Sequence, residues 1–424
     1  MRYKSKLFLL IISLLFFRST TAFCNDSLLL LTDEQYALDY KLKLMYNAQK
    51  NISMSYYAIN EDEVGLKFAA MACYKAQQGI KVNIIIEKSR SKVTYNLLKI
   101  FKENGITIKF YNSFRVRKTF KNFSWLHDKL LVVDGLYAVV GGRNLNNKYY
   151  PNSEAATQLT DIEVLFKGSV GNDAQDYIES LLASKFADKI KKKKVDSSHY
   201  LLLKKIISKN IDSIQKLNAT INDTTLVPTA NAKFVHDDYK QWERSKNVTQ
   251  AVYQLIKNAK KNITIVSPYI IPPCKYLMAL KRASKRGVHI SLISNSPQVS
   301  DAKIIAAAYM NDRRKYLKQH IKVYEYNGEK MLHDKLFIAD DSVAIVGSYN
   351  FDNISHHMNA EIIVRVQDST FANLINKHIT LRIEDCFEVK HKKDKNPYNE
   401  NKIAKRTKWN RVLLKVVPFI RRFL

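Results

Sequence analysis

The chain has 424 residues, 46% of them apolar and 11% aromatic, which excludes disorder over most of the length and predicts two packed units rather than one. Lys and Arg number 69 against 39 Asp and Glu, and the net charge of +30 points to a polyanionic partner, nucleic acid or an anionic membrane surface, without choosing between them. Cys24, Cys73, Cys274 and Cys386 are scattered with no C-x-x-C spacing, which argues against a zinc site or a dense disulfide framework and leaves room for one disulfide.

In chain order, Arg2, Lys4 and Lys6 precede an apolar run from Leu7 to Phe17, and Thr20-Thr21-Ala22 offers small residues for cleavage, the pattern of a signal peptide over residues 1–22. The run is shorter than the roughly 20 residues a spanning helix needs, with an uncleaved anchor as the alternative. The location expected from this leader is exported, periplasmic or secreted, and peripheral on a membrane.

Residues 27–188 and 233–388 then read as two copies of one pattern, an N-terminal and a C-terminal lobe. Ala48-Gln49-Lys50-Asn51-Ile52 is echoed by Ala259-Lys260-Lys261-Asn262-Ile263, each at the head of a strand-like run. A helical stretch follows and ends at Gly79 or Gly287, where a β-rich segment begins. Ile106 to Tyr111 then matches Ile321 to Tyr326. Alternating strands and helices in each half predict an α/β layered fold. Between the copies, residues 189–232 form a connecting region, with a basic run from Lys189 to Lys194 and a helical segment, Leu201 to Leu217, expected to pack between the lobes. Residues 389–424 read as a basic linker and an amphipathic tail. In the tail Trp409, Val412, Leu413, Val416, Val417, Ile420 and Leu424 fall at helical spacing, the pattern of an interfacial helix, with docking on the protein's own core as the alternative.

The chemistry-bearing residues are duplicated too. His127 and Lys129 recur as His333 and Lys335. Asp134 and Asp340 follow each His by seven residues, and Asn144 and Asn350 follow by 17. His and Lys two apart on a strand point to one face, so imidazole and ammonium can share one anionic group while the intervening Asp points away. Asp134-Gly135 and Asp340-Asp341 are turn residues between β-branched runs and predict a hairpin in each half, so these two Asp residues are expected to fix local structure. Gly141-Gly142 and Gly347-Ser348 end the return strand, where small residues let backbone approach a ligand and bring Asn144 and Asn350 near the same anion.

This set suits a phosphodiester without any metal or cofactor. One imidazole attacks phosphorus while the other, protonated, serves the leaving alkoxide, and the Lys and Asn groups hold the equatorial oxygens. A carboxylate behind one imidazole separates their protonation states. Asp161 and Glu361 are the candidates, with Glu163 as a rival to Asp161.

The doubled H-x-K-x-x-x-x-D with G-[GS]-x-N resembles the defining signature of the phospholipase D superfamily. The stretches His127 to Tyr149, Ser267 to Pro272 and Gly347 to Ser355, with Asn359 and Glu361, are similar to bacterial cardiolipin synthases of the C type. The resemblance runs from about Asp33 to Cys386. It implies two pseudo-twofold-related phospholipase D-like lobes, each a mixed β-sheet flanked by helices, with the active site at the lobe interface. It also implies a phosphohistidine intermediate with His127 as nucleophile and His333 as acid and base, the swapped assignment remaining open. The expected function is a phosphodiesterase acting on phospholipids, as phospholipase D with a phosphatidic acid product or as a phosphatidyltransferase of cardiolipin synthase type. The alternative is an exported nuclease of the same superfamily acting on DNA or RNA. With both half-sites in one chain, a monomer is expected.

Overall fold

The computed structural model describes residues 26–111, 124–151, 157–215, 225–229, 231–238, 246–391, 394, 396–397 and 405–416. The leader expected over residues 1–22 lies outside them, as do Val417, Ile420 and Leu424 of the tail.

The strands of the first lobe are β1 (Asp26–Leu31), β2 (Asn51–Tyr56), β3 (Lys81–Glu87), β4 (Thr107–Tyr111), β5 (Trp125–Leu126), β6 (Lys129–Val133), β7 (Tyr137–Gly141), β8 (Leu159–Thr160), β9 (Glu163–Lys167), β10 (Ala187–Lys189) and β11 (Val227–Thr229). Nine of them form one sheet in the order β10-β4-β3-β2-β6-β7-β9-β1-β11, parallel across β2, β3 and β4 and antiparallel elsewhere. The second lobe has β12 (Ala232–His236), β13 (Asn262–Val266), β14 (His289–Asn295), β15 (Lys322–Tyr326), β16 (Met331–Leu332), β17 (Leu336–Ala339), β18 (Val343–Gly347), β19 (Asn359–Ala360), β20 (Ile362–Gln367) and β21 (Cys386–Val389). Its eight-stranded sheet runs β12-β20-β18-β17-β13-β14-β15-β21. With the edge strands β10, β11 and β21 removed, the two orders are the same, so the repeated sequence folds into a repeated, mixed α/β lobe.

The helices are α1 (Glu34–Tyr46), α2 (Glu63–Gln77), α3 (Tyr95–Glu103), α4 (Ser169–Ala183), α5 (Ser197–Gln215), α6 (Asn247–Asn258), α7 (Cys274–Lys285), α8 (Lys303–Leu317), α9 (Asn353–His357), α10 (Ser369–Glu384) and α11 (Lys405–Val416). Asp side chains cap several of them: Asp33, Asp62, Asp352 and Asp368 each accept from backbone N–H groups of the first turn.

Every residue of β6 is buried, because the sheet is covered on both faces. Leu131 and Val133 face α1 and α2, whereas Leu130 and Val132 join a central cluster with Val140 and Val164. That cluster also contains Leu336, Ile338, Val346 and Val364 of the second sheet, with Ile178 of α4 and Ile375 of α10. The lobes therefore share one apolar core, which fixes one half-site against the other.

Two expectations need correction. Helix α5 does not stand between the lobes: Leu203, Ile207 and Ile214 bury it in the outer core of the first. Helix α11 is docked on the protein, with Leu414 packed against Ile271, Ala307 and Ala308 and Arg411 exchanging hydrogen bonds with Asn311 of α8, while Trp409 remains 75% exposed. Cys73, Cys274 and Cys386 form no disulfide with one another, and Cys24 lies outside the described residues. Among the described residues, no helix is long and apolar enough to cross a membrane.

Candidate active site

Each signature begins by locking a hairpin. β6 returns as β7, and β17 as β18, through turns with positive φ at Asp134 and Gly135 and at Asp340 and Asp341. The Asp134 carboxylate accepts from the backbone N–H groups of Gln49, Lys50 and Asn51, and Asp340 does the same for Lys260, Lys261 and Asn262. Both carboxylates thus pin the hairpin to the head of the neighbouring strand, β2 or β13, away from the imidazoles.

The imidazoles are placed by strands of two residues that cross between lobes. β5 pairs in parallel with β19, and His127 N–H donates to Ala360 C=O at 2.9 Å. β16 pairs in parallel with β8, and His333 N–H donates to Thr160 C=O at 2.8 Å. Inside each lobe a polar side chain from the end of the third strand steadies the same segment: Glu87 accepts from Leu126 N–H, and Asn295 accepts from Leu332 N–H.

The carboxylates behind the imidazoles are exchanged between halves. His127 Nδ1 meets Glu361 at 2.9 and 3.0 Å, and His333 Nδ1 meets Asp161 at 2.5 Å. Glu361 is further held by Ser348 Oγ and by Asn359 Nδ2, the latter at 2.8 Å. At the equivalent of Ser348, Gly142 has no space for a side chain, since a Cβ there would fall on the Asp161 carboxyl group. The rival Glu163 is not an imidazole partner. It forms a buried ion pair with Lys41 at 2.8 Å and reaches Arg143, whose guanidinium also binds the carbonyls of Leu31, Thr32 and Asp161.

The rest of the signature surrounds these pairs. Lys129 Nζ donates to His127 C=O; Lys335 Nζ donates to His333 C=O at 2.5 Å and lies 2.7 Å from its Nδ1. Asn144 accepts from Ala58 N–H and donates to Tyr149 Oη, and the Oδ1 of Asn350 is buried with no hydrogen-bond partner. Two aromatic rings that the spacing of the signature does not reveal flank the site edge-on: Tyr57 lies 4.7 Å from His127, and Tyr149 lies 5.2 Å from His333, between ring centroids.

Burial shapes the charges. The His127 imidazole is pushed well below its ordinary range, first by desolvation and then by the ammonium groups of Lys129 and Lys335, and His333 is lowered by burial and Lys335. Burial also brings Lys129 down to about 7 and Glu361 up to about 7. An anion beside Lys129 or Lys335 would favour their charged forms. No group of His, Cys, Asp or Glu that could hold a metal ion occurs among the described residues.

The profile of a family described as cardiolipin synthase, PLD-like domain, matches residues 42–168 and 252–382, one copy per lobe. The chain is 25% identical over 391 residues to cardiolipin synthase C of Escherichia coli, covering 81% of each protein. It is 26% identical over 357 residues to the major cardiolipin synthase of Bacillus subtilis, covering 82% of this chain and 67% of that one. The fold is similar to the crystal structure of phosphatidylserine synthase from Haemophilus influenzae, with a TM-score of 0.69, 15% identity and coverage of 94% of this chain and 95% of that one. With cardiolipin synthases as its relatives, the expected location, exported, periplasmic or secreted, is withdrawn.

Proposed function

The chain belongs to the family of cardiolipin synthases with phospholipase D-like domains and is a phosphatidyltransferase of that kind, and from this premise we propose that it moves a phosphatidyl group through a phosphohistidine intermediate on His127. The observation that carries the reading is the crossed pairing of His127 with Glu361 and His333 with Asp161. A carboxylate on Nδ1 fixes the tautomer and leaves Nε2 of each ring to face the substrate.

In the first step the lone pair on His127 Nε2 attacks phosphorus. The bond to the leaving alkoxide breaks, and His333 supplies the proton that this oxygen needs. In the second step His333 takes the proton of an incoming hydroxyl, the new P–O bond forms, and the P–N bond returns its electron pair to His127. Lys129, Lys335, Asn144 and Asn350 hold the non-bridging oxygens throughout. A glycerol-bearing phospholipid as acceptor yields a cardiolipin-type product, and water yields phosphatidic acid. One chain supplies both halves of the site, so a monomer suffices.

The test is incubation of the pure protein with phosphatidylglycerol, phosphatidylcholine or plasmid DNA in separate reactions, with a base quench to preserve phosphohistidine. Transfer products from phosphatidylglycerol and label retained on His127 are expected. Cleavage of plasmid with no turnover of either lipid would replace the lipid by nucleic acid as substrate.

A further inference from the structure

The two half-sites differ at the residue between His and Lys. In the first, Asp128 is fully buried and held by two hydroxyls, Ser55 Oγ at 2.6 Å and Tyr177 Oη at 2.8 Å. In the second, the equally buried Asp334 is held by nitrogen-bearing side chains of α10: His378 Nε2 lies 2.7 Å from Oδ2, and Arg382 Nε donates to the same oxygen at 3.2 Å. The far end of Arg382 leaves the lobe altogether, and its Nη2 donates to Thr160 Oγ1 at 2.5 Å. Thr160 is the residue whose carbonyl accepts from His333 N–H, and the next residue is Asp161.

We propose that Arg382 is a positioning residue for the His333 half-site, tying Asp334, which follows His333, to Thr160, which precedes Asp161. The guanidinium thereby closes a loop around the His333–Asp161 hydrogen bond with one side from each lobe. A planar fork meets the two partners with separate nitrogens, whereas an ammonium has a single nitrogen to offer. Among the described residues nothing comparable ties Asp128, so the device belongs to one half-site, the one that gives and takes protons in the proposed reaction. The inference rests on that acid–base role of His333.

Charge follows from the same geometry. Lys335 faces the carboxylates of Asp161, Asp334, Glu361 and Asp352, and the basic groups of Lys129 and His333 stand beside it. Asp334 in turn faces His378, Arg382, Lys335 and Tyr326. Removing Arg382 leaves the Asp334 carboxylate with one cation fewer to offset it, so it supports the Lys335 ammonium more strongly. The alkaline limb of the rate profile therefore moves to higher pH.

Arg382 forms part of the wall of a cleft of 580 Å³ with Thr160, Tyr326 and Lys330, and its side chain is 18% exposed, so truncation opens onto solvent rather than a sealed void. Arg382→Ala, Arg382→Lys and His333→Ala are compared in transfer from phosphatidylglycerol across pH, with thermal unfolding measured in parallel. Arg382→Ala is expected to lower kcat on the order of 10²-fold, as a misplaced group does. It should also shift the alkaline limb up by about one pH unit. Arg382→Lys should restore the limb and only part of kcat, since it keeps the charge but has one nitrogen where the fork has separate ones for Asp334 and Thr160. Turnover within about threefold of wild type, or a loss that tracks thermal stability with an unmoved pH profile, overturns the proposal; should the alanine variant fail to fold, the lysine variant decides by the same two readings. Near-normal turnover in His333→Ala would instead remove the acid–base reading on which the proposal stands.

Discussion

Glu361, from the second lobe, holds Nδ1 of His127, from the first, at 2.9 Å. Among the described residues none of the first lobe takes this place, because β5 delivers His127 directly alongside β19 and Glu361 follows β19 by one residue. Glu361→Gln should lower kcat by about 10²–10⁴, since an amide cannot fix the tautomer or support the imidazolium. Burial pushes the Glu361 carboxyl up to about 7, and its ionised form serves His127. Activity of the wild type should therefore fall as pH drops below about 7, and Glu361→Gln should flatten that acid limb. A pH–kcat profile of the two proteins checks both points; an unchanged limb would remove Glu361 from the site.

Asp128 makes a prediction about stability rather than rate. Its carboxyl is pushed up to about 7 by burial, against the partial help of Ser55 and Tyr177. The folded state then binds a proton more tightly than the unfolded chain, so the contribution is fully present below about pH 4 and is lost as pH rises through about 7. Thermal unfolding between pH 4 and pH 8 should show the wild type losing stability through this window, and Asp128→Asn losing less. Parallel curves for the two proteins would mean that Asp128 keeps its proton affinity on unfolding.

Gly142 and Ser348 occupy equivalent positions and should respond differently. An alanine Cβ at Gly142 would stand 2.6 Å from Cγ of Asp161, so Gly142→Ala must displace the carboxylate that serves His333. A displacement of that size should lower kcat by about 10² or more. Ser348→Ala removes only a hydroxyl that donates to Glu361 and accepts from Ile362 N–H at 3.0 Å, a loss of roughly 10-fold for a hydrogen bond to a charged group. Steady-state turnover of the two variants, with circular dichroism to verify the fold, tests the order; equal effects would contradict the geometry.

Much of this architecture is legible in the sequence for physical reasons. Hairpin turns need residues that tolerate positive φ, so Asp134-Gly135 and Asp340-Asp341 mark where each signature folds back. The two-residue period of a strand then puts His and Lys on one face. What the sequence hides is the exchange between lobes. β5, β8, β16 and β19 are two residues long and carry no periodicity, yet they decide that Asp161 serves His333 and Glu361 serves His127. The fate of Glu163 is hidden for a related reason: its partner Lys41 lies 122 residues away, and nothing local announces a buried ion pair. The spacing of Leu203, Ile207 and Ile214 likewise makes α5 a helix without saying which lobe will cover it.

The last prediction concerns the acceptor. If a phosphatidyl group is held on His127, any hydroxyl that reaches His333 can be deprotonated and can attack, so water and alcohols compete for one intermediate. Adding a primary alcohol or glycerol to the phospholipid assay should divert product from phosphatidic acid to the corresponding phosphatidyl-alcohol, while total turnover of donor lipid changes little when formation of the intermediate limits the rate. Each displacement inverts phosphorus, and two inversions retain configuration, which a chirally labelled substrate reports. Direct attack by water would give phosphatidic acid alone with inverted phosphorus. In that case His127, already held through Nδ1 by Glu361, would be a base or a binding group, and the covalent step would have to be abandoned.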